Sequence, residues 1–182
     1  VAFFKKFLSF FTDIAETIVI AIAVFLLVWI FLVQAFRVQG NSMFPNFQDG
    51  EMILTNKISY RFSPPKRGDV IIFQSPIEQK DLIKRIIGLP GETISIENGK
   101  VEINNNPLEE KYLTIQTPPG NFLTEGQKYT IPNDNYIVLG DNRINSLDSK
   151  EWGPLERKKI IGKAWFVYWP PGKISLVPSV NY

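Results

Sequence analysis

With no histidine and no cysteine anywhere in 182 residues, a hydrolytic centre in this chain must take its base from Lys, Asp or Glu. That excludes Ser-His-Asp and Cys-His arrangements, thiol nucleophiles, and the usual zinc and non-haem iron sites. A carboxylate-only Mg²⁺ or Ca²⁺ site stays open, although no EF-hand spacing of acids is present. Lysine is then the recognised partner for activating a serine. A lysine near its reference pKa of about 10.4 is protonated at neutral pH and accepts no proton. Burial penalises the ammonium and lowers that pKa, which turns the amine into a usable base.

Most of the lysines lie in polar surroundings, among them Lys66, Lys100, Lys111, Lys128, Lys158 and Lys159. Lys84 does not: it sits within Leu82-Ile83-Lys84-Arg85-Ile86-Ile87-Gly88. In a strand, Leu82, Lys84 and Ile86 share one face, which is apolar apart from the amine. An exposed edge strand, where lysine discourages aggregation, accounts for the same pattern equally well. Ser42 lies between Gly40-Asn41 and Met43-Phe44-Pro45, a setting for a fixed turn from which a hydroxyl and a backbone N–H project. An ordinary loop serine fits that setting as well.

The elements that must position these residues fall into two kinds. Between Thr17 and Phe36 no residue is charged, and only Thr17 and Gln34 interrupt the apolar run. About 20 apolar residues are what a helix needs to cross the hydrocarbon core, so an anchor is expected over 14–36, with the lipid bilayer as its partner. A cleaved leader would have a shorter apolar region ending in small residues, whereas Gln34-Ala35-Phe36-Arg37 follows here. Lys5 and Lys6 before the span, against Arg37 after it, lean towards placing residues 1–13 in the cytoplasm.

From residue 37 to 182 the pattern becomes short β-type runs: Met52–Leu54, Val70–Phe73, Leu82–Ile87, Thr93–Ile96, Tyr129–Ile131, Tyr136–Leu139 and Ile160–Trp169. Asn98-Gly99 between two alternating runs predicts a two-residue hairpin. Without helical patterns between them, these runs predict an all-β domain. The more polar stretch over about 97–130 reads as an inserted hairpin lobe. Trp165–Pro171 is too short to span a bilayer and reads as a core strand with a proline stop, an interfacial surface being the lesser alternative. A net charge of +2 and the lack of a basic run with interleaved aromatics give no basis for a nucleic-acid partner.

Four segments, in order behind the apolar span, resemble the boxes of the type I signal peptidases. Gly40-Asn41-Ser42-Met43-Phe44-Pro45 is similar to their nucleophile box, and Gly68-Asp69-Val70-Ile71-Ile72-Phe73 to their Gly-Asp strand. Lys84-Arg85-Ile86-Ile87-Gly88-Leu89-Pro90-Gly91-Glu92 resembles the box of the base. Gly140-Asp141-Asn142-Arg143-Ile144-Asn145-Ser146-Leu147-Asp148-Ser149 resembles the Gly-Asp-Asn box.

The resemblance implies an all-β catalytic domain with a small inserted β-hairpin lobe behind one transmembrane helix, no cofactor, and preprotein signal peptides as substrates. It implies Ser42 as nucleophile, Lys84 as general base, Ser146 as hydrogen-bond partner of the Lys84 amine, and Asp148 as a structural carboxylate paired with a cation. The Ser42 N–H becomes an oxyanion donor, and Phe44 and Phe47 are expected beside a substrate pocket. The catalytic domain would face away from the cytoplasm, on the outer side of the cell membrane. The departures are Asn46-Phe47 for Thr-Leu, Glu92 for Asp, Lys150 for Arg, and Gly40 where some members carry a serine that assists the oxyanion. Two other readings are a self-cleaving repressor with a Ser-Lys dyad, which would need a DNA-binding domain in place of the apolar span, and an inert, membrane-tethered β-domain serving as a binding scaffold.

Overall fold

The computed structural model describes residues 2–113, 115–178, 180 and 182. It divides into two compact units, Val1–Gln34 and Ala35–Tyr182. The first is one helix, α1 (Ala2–Leu32), continuous through residue 14, so the segment expected before the anchor belongs to the same helix. Its window Phe10–Val28 is long and apolar enough to cross a membrane.

The second unit is mostly β-structure. In chain order the elements after α1 are β1 (Val33–Arg37, whose first two residues belong to the first unit), β2 (Met52–Asn56), the short α2 (Ser59–Phe62), β3 (Val70–Gln74) and β4 (Asp81–Gly88). There follow β5 (Thr93–Glu97), β6 (Lys100–Ile103), β7 (Asn106–Pro107), β8 (Tyr129–Thr130) and β9 (Asn135–Leu139). The chain closes with α3 (Ser149–Trp152), β10 (Leu155–Glu156), β11 (Ile160–Trp169) and β12 (Ser175–Leu176). Among the described residues these form a large sheet of order β1-β2-β11-β3-β4-β9-β10, with β12 on β11, and a small one of order β7-β6-β5-β8.

Hydrophobic alternation and turn chemistry account for the arrangement. Asn98 and Gly99 take the positive φ values that a tight turn between β5 and β6 demands, 51° and 76°. The small sheet therefore starts at Thr93, ahead of the expected lobe boundary, and packs Ile94, Ile96, Val101 and Ile103 against Leu123, Ile131 and Ile137. In the large sheet β3 reads as an unbroken apolar run because both its faces are covered. Ile71 and Phe73 enter one cluster with Ile86 and Val138, and Val70 and Ile72 enter another with Met43, Phe47 and Ile53. The aromatic stretch Trp165–Trp169 lies in β11, between β2 and β3, and the strand stops before Pro170.

Candidate active site

β4 carries Lys84 into the interior. Its neighbour across the sheet is Ile71 on β3, one residue before the pair Val70–Arg85, and β9 lines up Leu139 with Arg85 on the other side. Lys84 is only 2% exposed, so the edge-strand explanation of this lysine does not hold. Its Nζ stands 2.7 Å from Ser42 Oγ and donates to the Ile83 carbonyl at 3.0 Å. Burial pulls the amine down from its ordinary value to about 8. The Asp148 carboxylate opposes the change, and the Lys150 ammonium reinforces it.

Ser42 is held by the loop that joins β1 to β2. The loop is closed at its base by Val38 N–H to Glu51 O (2.8 Å) and Gly50 N–H to Val38 O (3.0 Å). Within it, Phe47 N–H donates to Met43 O at 2.9 Å, a single helical turn that points both side chains into the core. Gly40 enters the turn at φ 79°, where its N–H donates to Asp49 Oδ1 at 2.7 Å. Phe44 remains 48% exposed beside Ser42, whereas Phe47 is 2% exposed and closed into the core. Of the two phenylalanines expected at a pocket, only Phe44 is accessible. Among the described residues the Ser42 N–H meets no protein acceptor, which leaves it free to receive a developing oxyanion.

The loop after β9 locks both pieces together. Asn142 donates from its backbone N–H to Ser42 O (3.0 Å) and from its side chain to Asn41 O (3.1 Å). Asp141 receives Arg85 through two parallel bonds, Nε to Oδ1 at 2.8 Å and Nη2 to Oδ2 at 2.7 Å, and also accepts from Asn46 Nδ2 at 2.9 Å. Through Asp141, the departure at Asn46 thus ties the Ser42 loop to β4.

Asp148 is fully buried and caps α3, accepting from Gly140 N–H (2.9 Å), Lys150 N–H (3.0 Å) and the Lys150 ammonium (3.0 Å to each oxygen). Ser146 Oγ is buried near Gly140 and has no hydrogen-bond partner among the described residues. Glu92 pairs with Arg67 and accepts from Leu89 N–H at 2.8 Å, which braces the turn at the end of β4.

The sequence reasoning missed Arg85, Asp141, Asn142 and Arg143, although an arginine inside an apolar strand is itself a signal that a buried carboxylate must exist. No cluster of three or more Asp or Glu side chains able to hold a metal ion occurs among the described residues. What the arrangement offers is a serine hydroxyl at hydrogen-bond distance from a desolvated amine, next to an unoccupied backbone donor.

The chain is also similar to known proteins. Residues 11–169 match the family described as signal peptidase, peptidase S26. Over 176 residues the chain is 40% identical to the signal peptidase I of Leptolyngbya laminosa, covering 92% of this chain and 84% of that one. Over 136 residues it is 39% identical to signal peptidase I V of Bacillus subtilis, covering 70% and 80% respectively. A solved signal peptidase I from Enterococcus faecalis V583 is 32% identical, with a TM-score of 0.46 over 56% of this chain and 97% of that one.

Proposed function

The chain belongs to the signal peptidase family of peptidase S26, and from that premise we propose that it removes signal peptides from exported preproteins with Ser42 as nucleophile and Lys84 as general base. The observation that carries this reading is the 2.7 Å approach of Ser42 Oγ to a lysine amine buried on an apolar strand face.

Neutral Lys84 takes the Ser42 proton as Oγ attacks the scissile carbonyl carbon, and the carbonyl oxygen collects the negative charge. The Ser42 N–H stabilises that oxyanion. As the intermediate collapses, the Lys84 ammonium returns its proton to the departing amine, leaving an ester on Ser42. Lys84 then deprotonates a water that attacks the ester and returns that proton to Ser42 Oγ as the ester bond breaks, releasing the signal peptide with a new C-terminal carboxyl. Ser146, whose Oγ is buried beside Gly140 without the expected bond to the Lys84 amine, is the hydroxyl proposed to turn towards that amine and hold it in line. Asp148 and Lys150 act at one remove, by holding Gly140 and by setting the field at Lys84.

The substrate binds as an added strand. Along β4, Arg85–Gly88 are paired with β9, but Asp81–Lys84 have no partner on that side among the described residues. An extended segment fits this open edge with alternate side chains in shallow pockets, Phe44 bordering one of them. The helix anchors the protein in the cell membrane, with the β-domain on the outer side. A scaffold without activity would have no use for a desolvated lysine aimed at a serine.

Preprotein incubated with detergent-solubilised protein tests the reading. Ser42→Ala and Lys84→Ala should each reduce cleavage to near background, and the double variant should be little worse than either single one. Robust cleavage by either variant removes that residue from the mechanism. Protease added to intact spheroplasts should digest the chain beyond Arg37, and full protection would reverse the orientation.

A further inference from the structure

An apolar groove of about 470 Å³ runs beside the Gly140–Ser149 loop, with Ile144 on one wall and Ile115, Pro118 and Pro119 on the other. Ile144 is 64% exposed and Ile115 38%, so both project towards solvent without covering each other. The walls are fixed to one another. The buried Arg143 donates to Thr117 Oγ1 and to both Glu110 oxygens on one side, to Tyr112 Oη at 3.1 Å, and to the Gly140 carbonyl at 3.1 Å on the other. The groove is therefore formed before anything binds, so little reordering of its own walls opposes an occupant.

Its location is constrained by Ser42. Asn142 N lies 3.0 Å from Ser42 O, and Ile144 is two residues further along. At about 3.8 Å per Cα step, the groove starts within roughly three or four extended residues of the nucleophile. A substrate strand on the open edge of β4 must end at Lys84, because β9 occupies the edge from Arg85 onwards. Ser42 and Lys84 stand at that end, so the bond to be cut lies there. The rest of the substrate has to leave the sheet where the Gly140–Leu147 segment departs from β9, which is the side of the groove.

We propose that Ile144, Ile115 and Pro118 form a specificity subsite for an apolar side chain in the first few residues of the mature protein, beyond the cut. The subsite rests on the Ser42–Lys84 reading above. The signal-peptide half of the substrate occupies the β4 edge, and the mature half runs into the groove. The contact adds apolar burial in a site that is open to solvent, so its effect is modest, about tenfold in kcat/KM between a leucine and an aspartate at the best-placed position.

Peptides identical up to the cleavage site, and carrying Ala, Leu or Asp at each of positions two to five after it, provide the test. The readout is the Leu-to-Asp ratio of kcat/KM within each protein variant, which does not depend on how much of a variant is folded. In the wild type one of these positions should show a ratio near ten. Ile144→Asp and Ile115→Asp should bring it to about one, Ile144→Val should keep it, and Ile144→Lys should turn the preference towards Asp. A wild-type ratio near one at every position, or a ratio that survives Ile144→Asp and Ile115→Asp, overturns the subsite while leaving the dyad untouched. Failure of the wild type to cut any of the peptides, the alanine series included, overturns both.

Discussion

Gly140→Ala is a one-methyl perturbation aimed at the joint between the nucleophile loop and the Gly-Asp-Asn loop. A Cβ placed on Gly140 would lie 2.5 Å from Ser146 Cβ, and closer still to Ser146 Oγ and the Ser42 carbonyl oxygen. Ordinary contact begins near 3.4 Å, so something must retreat by about 1 Å. Gly140 itself cannot yield: its N–H is held by Asp148 and its carbonyl by Arg143. The displacement therefore falls on Ser42 and Ser146. Overpacking of this kind costs about 1–3 kcal/mol of stability, which for a domain of this size lowers Tm by roughly 3–10 °C. A misplacement of about 1 Å at reacting groups costs on the order of 100-fold in rate. Cleavage of a fluorogenic signal-site peptide, followed alongside a thermal melt, should show kcat/KM down about 100-fold at temperatures where the variant remains folded. Gly172→Ala is the control, since a Cβ there meets nothing within 4 Å. Adding Ser146→Ala should recover little, because the clash with the Ser42 carbonyl remains. A folded Gly140→Ala protein with wild-type kcat/KM would refute the claim that this joint positions Ser42.

Lys150→Met should leave the Asp148 carboxylate buried without its cation, costing about 3–5 kcal/mol of stability in a denaturant titration. The uncompensated carboxylate favours the ammonium form of Lys84, so the acid limb of kcat/KM should also move upward in pH. A limb that stays in place would remove Lys150 from the electrostatics of the site. Ser146→Ala removes a hydroxyl that has no partner at rest, so Tm should hold within a degree or two, while kcat falls about 10- to 10³-fold from loss of an orienting contact. An unchanged kcat would confine Ser146 to packing.

How much of this was legible beforehand differs residue by residue. The long strands and the Asn98-Gly99 turn announce themselves through local periodicity and turn chemistry and appear where expected, whereas the apolar span is helical only to Leu32 and its last expected residues, Val33 to Phe36, open β1 instead. The two-residue strands β7, β8, β10 and β12 are too short to carry a period, so β7, β10 and β12 left no signal and β8 showed only as part of a longer run. Lys84 was ambiguous because alternation reports which face a side chain takes, not whether that face is covered. Lys84 pairs with Ile71 on β3, lies at the point where β9 begins to pair, and approaches a serine 42 residues away, none of which local alternation reports. Arg85 and Asp141 are 56 residues apart and can be matched only once β4 and β9 are aligned. Phe47 was expected at a pocket because it follows the nucleophile box. The single helical turn from Met43 to Phe47 instead sends it to the same side as Met43, into the core.

The central claim is that a desolvated lysine serves as the base, and kcat/KM of the wild-type protein against pH tests it most directly. Lys84 works only when neutral, and burial lowers its pKa to about 8. Activity should therefore be low near pH 6, rise about tenfold per pH unit below the limb, and level off above about pH 8 to 9. The free-enzyme limb should lie clearly under the solution value of lysine. A limb near pH 4, with full activity already at pH 6, would mean that a carboxylate accepts the serine proton, and the Ser42–Lys84 account would be wrong.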